Sequence, residues 1–262
     1  MNLQLEAKIA VVTGASRGIG LAVTQALSKE GVQVVGAARS VSPELKDSAA
    51  VAVPADLSTR EGAEAVVAAA MAEFGGVDIL VNNVGAGDVE HLSLGGFLDA
   101  DDEQWRRLLD LNLFSAVWTT RAALPSLVER RGAIVNISSI NSRVPATGPI
   151  GYSEAKAALT ALSKRLSEEF GPKGVRVNTV SPGVVATSLW RGPGSFGAQV
   201  AAAHGVGHEE FLSTIPQRFG MASPRITEPA EVAALVTFLV SSAAANIVGS
   251  DVVIDGGTLK AS

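Results

Sequence analysis

Three residues in the second half of the chain have the types and spacing that acid–base chemistry requires. Tyr152 and Lys156 lie four positions apart, so on a helix they share one face. An ammonium beside a phenol favours the phenolate, and we expect Lys156 to lower the pKa of Tyr152 from about 10. Tyr152, the single tyrosine of the chain, would then act as a general acid when a carbonyl becomes an alcohol, and as a base in reverse. Ser139, at the end of a predicted strand, can hold the substrate oxygen, although a Tyr-x-x-x-Lys pair by itself is also common on surface helices.

A glycine-rich turn near the N-terminus has the pattern of a phosphate-binding loop. A β-branched segment at 8–13 leads into Thr13-Gly14-Ala15-Ser16-Arg17-Gly18-Ile19-Gly20, and a helical pattern follows. Glycines let a ligand approach the backbone, and the first N–H groups of a helix attract phosphate. The spacing is Gly-x-x-x-Gly-x-Gly rather than Gly-x-Gly-x-x-Gly, and tight packing of strand against helix is the alternative explanation.

The end of the second predicted strand carries a cation where an acid is common. NAD-binding sites often place a carboxylate here to accept hydrogen bonds from the ribose 2′-hydroxyl, but this chain has Ala38 and then Arg39. Arg39 can pair with a 2′-phosphate in a bidentate manner, and Arg17 can add a second positive charge. The sequence therefore favours NADP(H), with NAD(H) as the alternative, unless both arginines are ordinary surface residues.

The elements that must position these residues alternate regularly along the chain. Apolar, β-branched runs predict strands at 8–13, 32–38, 51–54, 77–82, 132–138, 175–180 and 251–255, and Ala- and Leu-rich stretches predict helices at 18–30, 59–74, 102–129, 151–170 and 228–242. Such alternation predicts an α/β fold, a doubly wound parallel sheet of about seven strands with helices on both faces (Rossmann-type), as a single domain over 1–262.

Composition narrows the function further. The net charge of −5 disfavours nucleic-acid binding, and the absence of cysteine excludes disulfides and thiolate metal sites. The most hydropathic window, 230–248, contains Glu231 and several polar residues, and the N-terminus lacks a signal-peptide core, so we expect a cytoplasmic protein without a membrane span. His204 and His208 lie four apart beside Glu209, but no His-Glu-x-x-His pattern exists and we predict no metal site.

Taken together, these motifs resemble the short-chain dehydrogenase/reductase family, in its single-domain branch of roughly 250 residues. The resemblance extends from Lys8 to Gly257. Besides the glycine turn, Ser139, Tyr152 and Lys156, it rests on Asn82-Asn83-Val84-Gly85, Asn112, Ser181-Pro182-Gly183 and Asp255-Gly256-Gly257. Val84 stands where the family usually has alanine.

The resemblance implies a role for each matching residue. Tyr152 would be the acid/base, Lys156 would lower its pKa and bind the nicotinamide ribose, Ser139 would orient the carbonyl, and Asn112 would hold a water that links Lys156 to a proton path. The implied cofactor-binding residues are Thr13, Gly14, Ser16, Arg17, Gly18, Ile19, Gly20, Arg39, Asp56, Leu57, Asn82, Gly85, Tyr152, Lys156, Pro182, Gly183, Val185 and Thr187.

The function expected from these residues is NADP(H)-dependent interconversion of a ketone or aldehyde with an alcohol by hydride transfer. Within the family, a 3-oxoacyl-carrier-protein reductase is an alternative that would need a basic patch, for which Arg143, Arg191 and Arg218 are candidates. A sugar or polyol dehydrogenase would want a more polar substrate region. A non-catalytic NADP-binding regulator is the alternative from another class.

The segment 188–225, which we call the lid, interrupts the alternation of strands and helices. It is rich in glycine and carries bulky apolar residues that include Trp190, Phe196 and Phe219. Long irregular insertions are commonly lids or binding loops, and this one favours a small, largely apolar substrate; a surface subdomain or an oligomer contact is the alternative. The stretch 86–105 is a second candidate for the substrate mouth, with a plain surface loop as the alternative. The family resemblance implies a homo-oligomer, a tetramer or a dimer.

Overall fold

The computed structural model describes residues 2–85, 95–192 and 194–260. Within them, strands and helices alternate as the sequence predicts. The strands are β1 (Ile9–Thr13), β2 (Gln33–Ala38), β3 (Val51–Pro54), β4 (Ile79–Asn82), β5 (Ala133–Ile137), β6 (Arg176–Pro182) and β7 (Asp251–Ile254). The helices are α1 (Gly18–Lys29), α2 (Pro43–Ser48), α3 (Arg60–Phe74), α4 (Asp102–Leu109), α5 (Ser115–Arg130), α6 (Tyr152–Phe170), α7 (Phe196–Ala203), α8 (His208–Arg218) and α9 (Pro229–Val240).

The strands form one parallel sheet in the order β3-β2-β1-β4-β5-β6-β7. The order reverses between β1 and β4, because the chain first builds outward through β2 and β3 and then returns to the other side of β1. In open parallel sheets a crevice opens at this point, beyond the carboxyl ends of the strands. The predicted doubly wound fold is thereby confirmed.

Alternate residues of each strand pack against helices on opposite faces, which explains the continuous apolar runs. Ala10 and Val12 of β1 belong to a buried cluster with α1 and α9, whereas Ile9 and Val11 belong to a cluster with α3 and α5. Because both faces are covered by apolar side chains, the polar groups that remain accessible are concentrated at the ends of the strands.

Two predicted elements differ in detail from the structure. The single helix expected at 102–129 is divided into α4 and α5 by a π-helical turn, Asp110–Phe114. The lid is not irregular, because it contains α7 and α8, which pack around their own apolar cluster with Phe211 and Ile215 at its centre. Of the predicted mouth at 86–105, residues 86–94 lie outside the described part.

Candidate active site

A cavity of about 1250 Å³ lies at the carboxyl ends of the strands, where the strand order reverses. Most of the residues proposed from the sequence line it. They are Gly14, Ser16, Arg17, Gly18, Ile19, Arg39, Asp56, Leu57, Gly85, Ser139, Tyr152, Lys156, Pro182, Gly183, Val185 and Thr187. The fold therefore brings the glycine turn, Arg39 and the group Ser139, Tyr152 and Lys156 to one space.

The glycine turn is shaped to accept a ligand against its backbone. Gly14 and Gly18 have φ values of 65° and 56°, in the left-handed region that favours glycine. A methyl group on Gly18 would stand 3.1 Å from Thr187 Cγ2 and would narrow the cavity. Arg17 is the N-cap residue of α1, but its side chain does not cap the helix. The start of α1 thus has the properties of a phosphate site, and these residues fit the pyrophosphate of a dinucleotide.

Four of the proposed residues lie behind the cavity wall. Thr13 Oγ1 accepts hydrogen bonds from the backbone of Asn83 and Val84, which ties β1 to the end of β4. At Gly20, a Cβ would come within 2.2 Å of the Gly14 carbonyl oxygen, so this glycine serves close packing. Asn82 donates its amide protons to Thr120 and Asn136. These residues and Asn112 support the site from inside the protein.

Asn83 is a cavity residue that the sequence-based prediction missed. Its Nδ2 donates to the carbonyl oxygens of Thr13 and Gly14, at 2.9 and 3.1 Å, and it lines the cavity. Asn83 therefore fixes the glycine turn against the end of β4. Its place between Asn82 and Gly85 in the motif was the signal that could have identified it.

Ser139, Tyr152 and Lys156 converge because β5 ends beside the first turn of α6. Ser139 follows β5, and Tyr152 is the first residue of α6, preceded by Gly151 with a φ of 78°. The Ser139 hydroxyl faces the Tyr152 phenol, and their interaction lowers the pKa of Tyr152. Lys156 is 2% exposed, and its ammonium nitrogen lies 5.8 Å from the centroid of the Tyr152 ring and donates to the Ile137 carbonyl oxygen at 2.9 Å.

The pKa expected for Tyr152 is wrong in its direction. Burial raises the pKa of the Tyr152 phenol above 10, and the hydrogen bond with Ser139 only partly opposes this rise. Burial also lowers the pKa of Lys156 to about 8, from 10.5. The sequence argument considered only the attraction between ammonium and phenolate. In the structure Lys156 bonds to a backbone carbonyl, and the loss of solvent dominates for both groups.

Asn112 faces the same region from the π-helical turn. It is fully buried, and its Nδ2 donates to the Leu108 carbonyl oxygen at 3.0 Å. A Cβ on Gly85 would stand 3.1 Å from Asn112 Oδ1 and 2.8 Å from Lys156 Nζ. Asn112 and Lys156 therefore approach Gly85 from two sides, and only a glycine leaves room between them.

Two further segments line the cavity. In the lid, Trp190 packs edge-on against Phe196 and Phe219, with ring centroids 5.7 and 6.1 Å apart. All three rings line the cavity, as do residues 258–260 of the C-terminal segment, which the sequence did not predict. Lys260 Nζ donates to the Gly220 carbonyl oxygen and so joins this segment to the end of the lid's last helix.

Comparison with known proteins agrees with this geometry. The profile of the family described as short chain dehydrogenase matches residues 8–194. The chain belongs to the short-chain dehydrogenase family. These oxidoreductases bind a nicotinamide cofactor and transfer hydride, and the resemblance inferred from the motifs is confirmed.

Individual relatives of this short-chain dehydrogenase differ in what their names say they act on. It is 33% identical to a 3-oxoacyl-[acyl-carrier-protein] reductase of Vibrio cholerae, over 97% of this chain and 98% of the relative. It is also 33% identical to a 3-alpha-(or 20-beta)-hydroxysteroid dehydrogenase of Mycobacterium bovis, over 99% and 92% of the two chains. The structure of L-sorbose reductase from Gluconobacter frateurii, in complex with NADPH and L-sorbose, matches with a TM-score of 0.90 and 33% identity over the whole of both chains.

The described part of the chain has neither a group of side chains suited to a metal ion nor a helix suited to a membrane. Within that part, no group of three or more His, Asp or Glu side chains is arranged to hold a metal ion, and no helix is long and apolar enough to cross a membrane. His204 and His208 instead bond to the carbonyl oxygens of Val200 and Trp190, each at 2.8 Å.

Proposed function

We propose that this short-chain dehydrogenase interconverts a ketone or aldehyde with an alcohol, using NADP(H), and that Tyr152 is its acid/base. The observation that carries the proposal is the convergence of Ser139, Tyr152 and Lys156 on one cavity, which the glycine turn also lines. A bound nicotinamide supplies the hydride that reduces the carbonyl carbon.

The residues of the chain then protonate the reacting oxygen and stabilise its charge. Tyr152 donates its phenolic proton to this oxygen as the alcohol forms, and the Ser139 hydroxyl donates a hydrogen bond that stabilises the developing negative charge. Lys156, held on Ile137 by a 2.9 Å hydrogen bond, presents a positive charge near the phenol and stabilises the phenolate that remains. Asn112 lies beside Gly85, as Lys156 does. We assign to Asn112 an ordered water that links Lys156 to a proton path.

The preference for NADP(H) rests on the position of two cations. Arg39 follows β2 directly and lines the cavity together with Arg17 of the glycine turn. A 2′-phosphate carries the charge that a guanidinium pairs with, and no carboxylate follows β2 to bind a 2′-hydroxyl instead. The NADPH bound to the related L-sorbose reductase is in accord with this choice.

The substrate region favours a small, largely apolar molecule, because Trp190, Phe196 and Phe219 form one wall. We assign residues 188–225 the role of a lid that covers the substrate and excludes water, with α7 and α8 moving as one unit on their own apolar cluster. Limited proteolysis tests this role, because NADPH together with an alcohol product should slow cleavage within the lid.

Reduction of a 3-oxoacyl group on a carrier protein is the second candidate, and whole-length similarity to such a reductase favours it. The basic patch that it requires is weaker than the sequence suggested. Arg143 pairs with Asp251 at 2.9 Å, and Arg191 pairs with Glu228 at 3.0 Å. Turnover of acetoacetyl groups on a carrier protein, compared with the free thioester, tests this candidate: an advantage of the carrier-bound form supports it.

The broad proposal is tested by following NADPH oxidation in the near ultraviolet with a panel of ketones, aldehydes and β-ketoesters. Turnover that is faster with NADPH than with NADH supports the activity and the cofactor choice together. Binding of NADPH without turnover of any compound in the panel favours the non-catalytic regulator instead.

A homo-oligomer, as a dimer or a tetramer, is also part of the proposal. Phe114 and Trp118 stack with centroids 5.7 Å apart near the start of α5, and Phe114 is 39% exposed. An exposed phenylalanine stacked on a half-buried tryptophan is suited to a contact between subunits. Light scattering coupled to size-exclusion chromatography measures the assembly, and a monomeric mass refutes this part.

A further inference from the structure

The hydroxyl of Ser139 belongs to a short chain of hydrogen bonds whose directions are fixed by counting protons. Thr147 Oγ1 donates its one proton to the Val144 carbonyl oxygen at 2.8 Å, so toward Asn141 it can only accept. The Asn141 group that faces Thr147, also at 2.8 Å, must therefore be the amide nitrogen. The amide oxygen, Oδ1, is consequently turned toward Ser139.

Asn141 holds Ser139 by two hydrogen bonds. The Asn141 backbone N–H donates to Ser139 Oγ at 3.2 Å, and Ser139 Oγ donates to Asn141 Oδ1 at 3.1 Å. A hydroxyl has one proton, so Ser139 can donate to the Tyr152 oxygen only when that proton leaves Asn141. The Ser139 proton therefore points at Asn141 and away from the phenol.

During carbonyl reduction the Ser139 proton must instead point at the oxygen of the substrate carbonyl. When Ser139 donates to the reacting oxygen, Asn141 Oδ1 loses its donor. Asn141 is only partly exposed and lines the cavity, so an amide oxygen left without a partner there is costly. A substrate can replace the lost bond only if it carries its own donor beside the carbonyl.

We propose that Asn141 binds substrate and selects carbonyl compounds with a hydroxyl on the neighbouring carbon, which are α-hydroxyketones in reduction and vicinal diols in oxidation. The carbonyl oxygen accepts from Ser139 and Tyr152 while the adjacent hydroxyl donates to Asn141 Oδ1. Ser139 Oγ and Asn141 Oδ1, 3.1 Å apart, are spaced to meet two oxygens on neighbouring carbons. This inference rests on the proposed function, because it needs the carbonyl oxygen to lie against Ser139 and Tyr152.

The remainder of the substrate would lie against the apolar wall of the lid. Trp190 and the two phenylalanines that it contacts offer rings and no charged group to the part of the molecule beyond the hydroxyketone. A phenyl ketone with one hydroxymethyl arm combines both features. Its methyl ether keeps the ring and the electron-withdrawing oxygen but cannot donate a hydrogen bond.

The test compares kcat/KM for hydroxymethyl phenyl ketone and methoxymethyl phenyl ketone, with NADPH, in the wild type and three variants. We expect the wild type to prefer the hydroxyketone by about tenfold or more, the effect of one buried hydrogen bond that the ether leaves unmade. Asn141→Leu, which removes the acceptor, should bring the ratio close to one. Asn141→Asp, which keeps an acceptor oxygen, should retain a larger ratio than Asn141→Leu.

Thr147→Val is a milder perturbation that leaves Asn141 in place. It removes the group that fixes the orientation of the amide, so the ratio should fall here too, even if Asn141→Leu disturbs folding. General damage to the site lowers kcat/KM for both ketones and leaves their ratio unchanged.

Two kinds of failure are distinguishable. Turnover of both ketones with equal kcat/KM in the wild type, or a ratio that survives in both Asn141→Leu and Thr147→Val, overturns the inference alone. Absence of NADPH-dependent turnover with these and all other carbonyl compounds refutes the proposed function, and the inference falls with it.

Discussion

Replacing Lys156 by methionine should change how the stability of the protein depends on pH. Lys156 is 2% exposed, and burial lowers the pKa of its ammonium from 10.5 to about 8. Between these two values the unfolded chain binds more protons than the folded chain, so the wild type gains stability as the pH rises. A difference of 2.5 pKa units corresponds to about 3 kcal/mol, at 1.36 kcal/mol for each unit.

Methionine has a similar length and does not titrate, so Lys156→Met lacks this contribution. The lost hydrogen bond to Ile137 and any change in packing shift the variant's free energy of unfolding by a nearly constant amount at every pH. We therefore expect the difference, wild type minus variant, to rise by about 3 kcal/mol from pH 7.5 to 10.5. Urea unfolding followed by tryptophan fluorescence, at one protomer concentration, measures it. Parallel pH profiles for the two proteins would refute the argument that Lys156 is held as a destabilised cation.

Three further substitutions test other parts of the site and fold. Arg39→Ala should lower kcat/KM for NADPH by about 10- to 100-fold, the effect of losing a charge-assisted contact, and leave NADH nearly unchanged; equal losses with both cofactors would contradict the role of Arg39. Gly85→Ala puts a methyl group 2.8 Å from Lys156 Nζ and should reduce turnover more than tenfold, whereas Gly207→Ala, which meets no atom within 4 Å, should be close to wild type in the same assay. Arg176→Met removes hydrogen bonds to three carbonyl oxygens at and after the end of α9 and should lower the free energy of unfolding in urea by about 1–3 kcal/mol, so an unchanged midpoint would show that these bonds contribute little.

The features predicted well from the sequence are those that depend on local pattern. Every predicted strand overlaps an observed one, because strands covered on both faces leave continuous apolar runs such as β1 and β5. Once the strands are parallel and in order, their carboxyl ends meet, and the glycine turn, Ser139 and Tyr152 come together without further information.

The features that sequence reasoning missed depend on packing between distant segments. The π-helical turn at Asp110–Phe114 leaves the helical periodicity almost unchanged, so it is hidden in a pattern that predicts one long helix. The helices of the lid are short, and their shared cluster around Phe211 forms only when they meet.

Two features of the site also depend on packing and could not be predicted from local sequence patterns. The spacing of Tyr152 and Lys156 gives their proximity, but the burial that raises the pKa of Tyr152 is a property of the whole fold. The amide orientation of Asn141 depends on Thr147, six residues later, and on the proton that Thr147 gives to Val144. No motif records that chain of donors and acceptors.

The central claim is that Tyr152 supplies the proton for carbonyl reduction, and Tyr152→Phe tests it most directly because it removes only the hydroxyl. NADPH binding, measured by titration of tryptophan fluorescence, should be nearly unchanged. Turnover of the best ketone should fall by about 10²- to 10⁴-fold, the usual contribution of a positioned general acid. A Tyr152→Phe protein that binds NADPH and reduces the ketone at the wild-type rate would contradict the account.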